Sequence, residues 1–540
     1  VSYQPPRFAF RQPPELGAGG HGECRVAVVG GGLVGLTVAL DLSRRGVGSV
    51  LLDDDDTVSV GSRAICFSKR TLEIYDRLGL GARMLAKGVT WNRGVVHFRD
   101  KIVYEFNLLP EAGHAFPAFV NLQQYYAEEW LAAACAETGL VDLRWKNAVT
   151  RVEPDGEAVR LEVQTPAGDY ALRADWVLAC DGAHSTVRRA LGLGFVGKVF
   201  HDHFLIADVV MHRNDLPTLR RFWFEPPFHD GGSALMHRQA DDVWRVDLQL
   251  GPDAEPERET EPARVRARLE AALGRSDFEI EWVSVYTFRC RRLERFRHGR
   301  VLFLGDSAHQ VSPFGARGGN GGVQDADNLA WKLAGVLNGE AGVALLDSYD
   351  AERIPAADEN ILNSTRSTDF MTPKTEAARA YRDAVLELAR TQAFARPMVN
   401  SGRLSRPAVL RGSPLNTPDE DAWQGGVPPG APAEDAPVGA AGWLLPALAD
   451  GGFTLLLFDA EPVELDDPGG GGVRAIRTVL IRSADAPGAL WDREGLFARR
   501  YDARPGTAIL FRPDQHVAAR WRHAAPARIL AARDRAMGGA

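Results

Sequence analysis

Three short segments in a fixed order constrain this chain more than any other feature: Gly30-Gly31-Gly32-Leu33-Val34-Gly35, then Cys180-Asp181-Gly182, then Gly305-Asp306-Ser307-Ala308-His309. Each closes a run of apolar residues. Arg25-Val-Ala-Val-Val29, Asp175-Trp-Val-Leu-Ala179 and Arg300-Val-Leu-Phe-Leu304 read as strands buried on both faces. After the first glycine cluster the pattern turns helical, with Val34, Val38 and Leu42 on one face and Gly46 as stop, and Ser49-Val-Leu-Leu52 then reads as a second strand ending at Asp53. This is a βαβ unit with an acid about 20 residues beyond the glycines. In such a unit glycines admit a phosphate to the backbone N–H groups, the helix N-terminus faces the pyrophosphate, and the acid accepts from a ribose hydroxyl.

NAD and FAD both use this unit, and the later segments favour FAD. An aspartate at a strand end, as at Asp181 or Asp306, can bond a polyol chain, and FAD has a ribityl chain where NAD has none. Turn chemistry is the competing explanation for either aspartate alone. Ser185 reads as the N-cap of a helix over Thr186 to Leu191 ended by Gly192. Pro313-Phe-Gly-Ala-Arg-Gly-Gly-Asn-Gly-Gly322 is a glycine-rich loop leading into a helix with Val323, Ala326, Ala330, Leu333 and Leu337 on one face. Its N-terminus, turned toward a flavin, would stabilise negative charge on the reduced ring.

Composition removes other classes. A length of 540 residues implies two to four domains with room to bury a cofactor, and a formal charge of −8 gives no field for nucleic acid. The five cysteines, at 24, 66, 135, 180 and 290, show no CxxC spacing, which argues against a disulfide framework or a zinc site and fits a reducing cytoplasm, and no metal site is expected. The longest apolar run, Val26 to Leu40, holds four glycines and is too short for a membrane span. The Pro/Gly-rich residues before it read as a flexible arm over 1–24.

The ordered set GxGxxG, Asp53, Gly61-Ser-Arg63-Ala64, Gln123, Asp181-Gly182 and Gly305-Asp306 resembles the single-component FAD-dependent aromatic hydroxylases, the class of p-hydroxybenzoate, phenol and 3-(3-hydroxyphenyl)propionate hydroxylases. The resemblance spans roughly residues 25 to 365. It implies that the Gly30, Gly32, Leu33, Val34 and Gly35 motif holds the pyrophosphate and Asp53 the adenosine ribose. Arg63 and Gln123 would contact the FAD phosphates and ribityl region, and Asp181 with Gly182 would serve FAD and NAD(P)H. Asp306 after Gly305 would take the ribityl and pyrophosphate part, while Pro313 and the Gly318-Gly319-Asn320 backbone would border the isoalloxazine.

The fold so implied is α/β: a Rossmann-like FAD-binding domain (25–90, 115–200 and 289–365), an inserted mixed β-sheet substrate domain (91–114 and 201–288), a helical connector (366–404) and a thioredoxin-like C-terminal domain (405–540). Arg221-Phe-Trp-Phe224, Ala234-Leu-Met-His237, Val243 to Leu250 and Glu281 to Phe288 read as strands of a roof over the ring. Beyond the Pro/Gly-rich passage from Pro407 to Pro437, Phe453 to Phe458 and Thr478 to Ile481 read as buried strands, and Gly506 to Trp521 as a hairpin. No cysteine follows Cys290, so this domain cannot run dithiol chemistry; a structural role or a homodimer contact remains for it.

The chemistry implied is hydride transfer from NAD(P)H to FAD, capture of O2 as a flavin C4a-hydroperoxide, and hydroxylation of a small phenolic substrate. His237, Tyr286 and Arg289 are candidates for the polar group near the phenol oxygen, and Arg220, Arg221 or Arg238 for holding a substrate carboxylate. For these strand residues ordinary packing or solvent exposure competes, and His309 reads equally as a packing residue. The same scaffold serves monooxygenases of non-phenolic or antibiotic substrates, and a non-catalytic FAD-binding redox sensor is the alternative from another class. The WxWxIP motif of flavin halogenases does not occur.

Overall fold

The computed structural model describes residues 3–17, 19–61, 63–213, 215–230, 232–399, 404–449, 451–467 and 471–539. Ser62 of the Gly61–Ala64 motif and residues 400–403 of the expected connector lie outside the described residues.

The apolar runs at Val26–Val29, Val177–Ala179 and Val301–Phe303 are parallel neighbours, with Val29 opposite Ala179 and Ala179 opposite Phe303. Their sheet is ordered Arg297–His298, Val301–Phe303, Gly168–Ala179, His21–Val29, Ser49–Leu52, Val141–Arg144; Val159–Thr165 also pairs with Gly168–Ala179, and Ala148–Pro154 pairs with Val159–Thr165. In register, these strands deliver the three motifs to one edge, outside the carboxyl ends of a parallel sheet, where such folds bind ligands. The helix Leu33–Arg44 packs between Gln124–Thr138 and Gly318–Leu337, covering the sheet with buried leucines and valines.

The second sheet is ordered His309–Gln310, Phe278–Arg292, Val196–Met211, Val243–Gln249, Ser233–Arg238, Arg220–Phe224, Arg93–Phe98, Lys101–Asn107. It is antiparallel except between Arg220–Phe224 and Arg93–Phe98. Alternation decides its two faces. Leu205, Ala207, Val209, Met236, Trp244, Val246 and Leu248 pack on Val265 and Leu269 of the helix Pro262–Leu273. The intervening residues, including Arg245, Asp247 and His237, take the opposite face and are buried as well.

The C-terminal sheet runs Leu490–Trp491, Ile476–Arg482, Phe453–Phe458, Ala508–Phe511, Val517–Trp521. Phe453–Phe458 is parallel to Ile476–Arg482 and antiparallel to Ala508–Phe511, which forms a hairpin with Val517–Trp521; this is the thioredoxin-like strand order. Its face carrying Phe453, Leu455 and Leu457 packs on Trp331 of the helix Gly318–Leu337.

Residues 3–17 do not form a free arm. Tyr3 stacks on Tyr125 at 3.9 Å between ring centroids, Phe8 stacks on Trp145 at 4.2 Å, and buried Glu15 pairs with Arg144 at 2.9 Å. The polar, proline-rich composition concealed two aromatic anchors and one charge with a waiting partner.

Candidate active site

A cavity of about 640 Å³ lies between the carboxyl edge of the first sheet and the charged face of the second. That volume is ordinary for a site enclosing a small organic ligand. Gly32, Leu33, Val34, Arg63, Gly182, Gly305, Asp306, Pro313, Gly318, Gly319 and Asn320 line it. His237, Tyr286 and Arg289 line it too, so all three candidate catalytic residues reach the same space.

The three motifs touch one another. A Cβ on Gly30, whose φ is +105°, would stand 2.5 Å from the Cys180 carbonyl oxygen, and one on Gly35 would stand 1.9 Å from the oxygen of Gly30. Val34 fills the space beside both Gly305 and Gly322, at 3.0 and 2.5 Å from where their Cβ atoms would be. The glycines therefore let a loop, a strand end and two helix starts close into one cradle. Near Gly32 only the Glu128 carboxylate comes within 4 Å, so this side of the cradle stays open.

Carboxylate oxygens without protein partners fit this cradle to the hydroxyl groups of a polyol. Asp306 opens into the cavity while protein surrounds it, and burial holds its carboxyl above the usual range despite the opposing field of His309. Behind it, His309 Nε2 lies 2.6 Å from Asp325 Oδ2, and that oxygen also accepts from Gly305 N–H at 3.0 Å. His309 thus props the turn that presents Asp306. Asp181 accepts from Val187 N–H at 3.0 Å through one oxygen, while the other is buried without a partner.

Several expected contacts sit behind the wall instead of on it. Gly30, Gly35, Asp53 and Asp181 are not part of the lining. Asp53 accepts from Gly31 and Asp55 N–H groups, and burial lifts its carboxyl to about 6. Gln123 is a correction: it is buried away from the cavity, its amide donating to the Ala240 carbonyl at 3.1 Å. Its neighbour Gln124, the first residue of the helix Gln124–Thr138, lines the cavity and accepts from Ala64 N–H at 2.9 Å. One helical step separates the two side chains, and two adjacent glutamines offered no local signal to choose between them. Asn320 spends its amide on Ser68 N–H, Thr71 and the Cys66 carbonyl, tying the glycine-rich loop to the strand Cys66–Ser68.

The roof is charged. Trp282, Asp208, Arg245 and His237 are cross-strand neighbours in one row, and Ser284, Ile206, Asp247 and Leu235 form the next. Arg245 bonds Asp208 at 3.2 Å and the Arg63 carbonyl at 3.2 Å, joining the roof to the loop below. Tyr286 accepts from Arg63 at 2.8 Å. Arg220, also in the lining, lies 3.8 Å from Cys66 Sγ. Arg221 and Arg238 are outside the lining. Asp247 and Cys66 belong to the site and escaped the sequence reading. The polar alternation Arg245, Asp247, Gln249 was the available signal for Asp247, but it is also the pattern of a solvated strand face.

Such a cradle below and charged sheet above define a flavoprotein whose cofactor faces a substrate chamber. The chain belongs to the FAD-binding domain family, whose model matches residues 23–364, and it is a flavin-dependent monooxygenase. It is 33% identical over 524 residues to the 6-methylpretetramide 4-monooxygenase of Streptomyces rimosus, covering 92% of this chain and 90% of the relative. It is 29% identical over 524 residues to a probable NADH-specific resorcinol 4-hydroxylase of Rhodococcus jostii strain RHA1, covering 94% and 93%. The crystal structure of the flavin-dependent monooxygenase PieE in complex with FAD and substrate superposes with a TM-score of 0.81 over 96% of this chain and 99% of that one, at 24% identity, a likeness of fold.

Proposed function

We propose that this protein hydroxylates the ring of a phenolic aromatic compound, with FAD as bound cofactor and NADH or NADPH and O2 as co-substrates. The observation that carries the reading is the shared cavity, in which the FAD cradle faces a roof bearing buried polar side chains. Bound and reduced, FAD supplies the activated oxygen; the protein's part is placement and dryness. The glycine cradle with Asp306 and Asp181 would hold the cofactor, and Pro313 and Gly318–Asn320 would border its ring. Phe288 lines the cavity and is backed by Phe204 and Phe314, with centroids 4.4 to 5.2 Å apart, an apolar cluster that disfavours water on that side.

Arg289, in the same cavity wall, suits a second role. It stands with Arg188, which donates to the Ala183 carbonyl at 3.2 Å, and Arg291, which donates to Gln310 at 2.9 Å. Burial lowers the pKa of Arg188, with Asp181 opposing and Arg189 and Arg289 adding to it, and burial followed by Arg289 and Arg188 lowers that of Arg291. Beside Ala183 and His184 at the cavity wall, this excess of positive charge suits the pyrophosphate of NAD(P)H.

A second reading, a polycyclic aromatic substrate of the tetracycline type, is favoured by the full-length likeness to the 6-methylpretetramide enzyme. One assay separates these outcomes. NADH and NADPH consumption by the FAD-loaded protein is measured with resorcinol, 4-nitrophenol, 3-(3-hydroxyphenyl)propionate and polycyclic hydroxyanthraquinones, quantifying hydroxylated product and hydrogen peroxide together. Product nearly equal to the NAD(P)H consumed, from the one-ring or the polycyclic set, establishes the hydroxylase and selects its substrate size. Peroxide alone, or no stimulation by any phenol, overturns the phenolic reading and leaves a monooxygenase of a non-phenolic substrate.

A further inference from the structure

Asp247 is a carboxylate in the cavity wall, only 7% exposed, with neither a hydrogen bond nor an ion pair among the described residues. A buried carboxylate without a donor is costly, and folded proteins rarely keep one unless a ligand completes it. On the adjacent strand, one pair farther along, His237 is 3% exposed and its Nε2 is also buried without a partner. Diagonal neighbours of this kind have Cα atoms about 7–8 Å apart, leaving room between the side chains for one small group.

Their surroundings set the protonation of each. Cys66 Sγ lies 3.8 Å from His237 Nδ1. Burial raises the Cys66 pKa, so the thiol keeps its proton, and with Sγ accepting from Arg220 at 3.8 Å its hydrogen is free to be donated to Nδ1. Burial, with Arg220 and Arg245 adding to it, pushes the His237 pKa well below its usual value. A neutral imidazole that accepts at Nδ1 carries its hydrogen on Nε2, so His237 offers a donor. Around Asp247, Arg245 and Arg220 favour the ionised form, Asp208 opposes it, and His237 and Cys66 are neutral. Burial outweighs them and lifts the carboxyl to about 6, leaving it ionised at neutral pH and able to accept a proton.

One orphaned donor beside one orphaned acceptor is the complement of a hydroxyl group, which both accepts and donates. We propose that the substrate's phenolic hydroxyl sits between His237 and Asp247, accepting from Nε2–H and donating to the carboxylate, and that Asp247 is the catalytic base that makes it a phenolate. In that step the phenolic O–H bond breaks, the proton moves to Asp247, and the electron pair stays on the oxygen. Nε2–H and the positive field of Arg220 and Arg245 stabilise the resulting anion. Electron density rises at the ring carbons ortho and para to it, where oxygen is to be added. The inference rests on the phenolic reading above and names the groups that would select such a substrate.

The test reads ionisation of a bound phenol, not turnover. FAD-loaded wild type, Asp247→Asn, Asp247→Glu, His237→Gln and His237→Phe are titrated from pH 5 to 9 with 4-nitrophenol and with 1,8-dihydroxyanthraquinone, whose ionised forms are coloured. Flavin content and near-ultraviolet circular dichroism confirm that each variant is folded. Wild type is expected to bind at least one probe and to ionise it at pH values where the free probe is protonated. Asp247→Asn should bind the same probe and leave it protonated, with turnover of an active phenol reduced roughly 100-fold or more. Asp247→Glu should restore part of the ionisation. His237→Gln, which keeps an N–H donor, should bind about as wild type does, and His237→Phe about tenfold more weakly. If Asp247→Asn ionises the bound probe as wild type does, the base assignment is overturned while the phenolic reading stands. If wild type binds neither probe, the phenolic reading falls and this inference falls with it.

Discussion

At the scale of single residues, the site is defined by charges whose partners are missing. Asp247 and Asp306 both have pKa values raised by burial, and both line the cavity. The Asp247 carboxyl stands at about 6 against an ordinary 3.8. A folded-state pKa raised in this way means that the folded state binds the proton more tightly than the unfolded state. The ionised group then costs stability above about pH 6, roughly 3 kcal/mol, and the cost vanishes as pH falls toward 4. Asp247→Asn should therefore melt at a higher temperature than wild type at pH 8, with the gap closing by pH 4. Thermal unfolding of the two proteins in the two buffers checks this, and an equal or lower melting temperature for the variant at pH 8 would show that Asp247 has a stabilising partner.

Elements converge at the cradle because glycine allows them to. The helix Leu33–Arg44 can start against the end of the Gly168–Ala179 strand only if Gly35 and Gly30 carry no side chain, since a Cβ on Gly35 would overlap the Gly30 carbonyl oxygen at 1.9 Å. Gly35→Ala is expected to yield soluble protein that has lost most of its FAD. Gly194→Ala, with nothing within 4 Å of the new Cβ, should retain a full complement. Flavin absorbance per protein after gel filtration separates them, and full FAD in Gly35→Ala would contradict the packing argument. At this scale too, the glycine cluster, both strand-end aspartates and the roof strands were legible in the sequence, because apolar runs and their periods are local. Which of Gln123 and Gln124 faces inward was not, since it depends on the rotation at which the helix Gln124–Thr138 docks.

At the scale of the whole molecule, a fully buried ionic network fastens the C-terminal sheet to the FAD-binding part. Glu352 of the helix Asp347–Met371 pairs with Lys332 at 2.6 Å and with Arg512 at 2.5 Å, and Arg512 pairs with Asp514 of the hairpin turn at 2.5 Å. Burial works to raise the Glu352 pKa, but Arg512 and Lys332 together hold it well below the carboxylate range. Removing its charge leaves two buried cations short of a partner, a loss of about 3–5 kcal/mol. Glu352→Gln should lower the melting temperature and expose the 404–410 passage to protease while the first sheet remains folded. Calorimetry and limited proteolysis would show this, and an unchanged melting temperature would mean that the apolar contacts around Trp331 suffice for docking.

What the sequence determined by itself was the architecture of the cofactor site. Hydrophobic period, glycine placement and strand-end aspartates are properties of neighbours along the chain, and they identified the βαβ unit, the two later strand ends and the family. The tertiary structure alone decided the substrate chamber. Asp247, His237, Cys66 and Arg220 come from four strands of two sheets, and whether a charged strand face meets water or a closed cavity depends on what folds over it. Residues 3–17 show the same limit, because Tyr3, Phe8 and Glu15 are anchored by Tyr125, Trp145 and Arg144, partners more than a hundred residues away that no local pattern could supply.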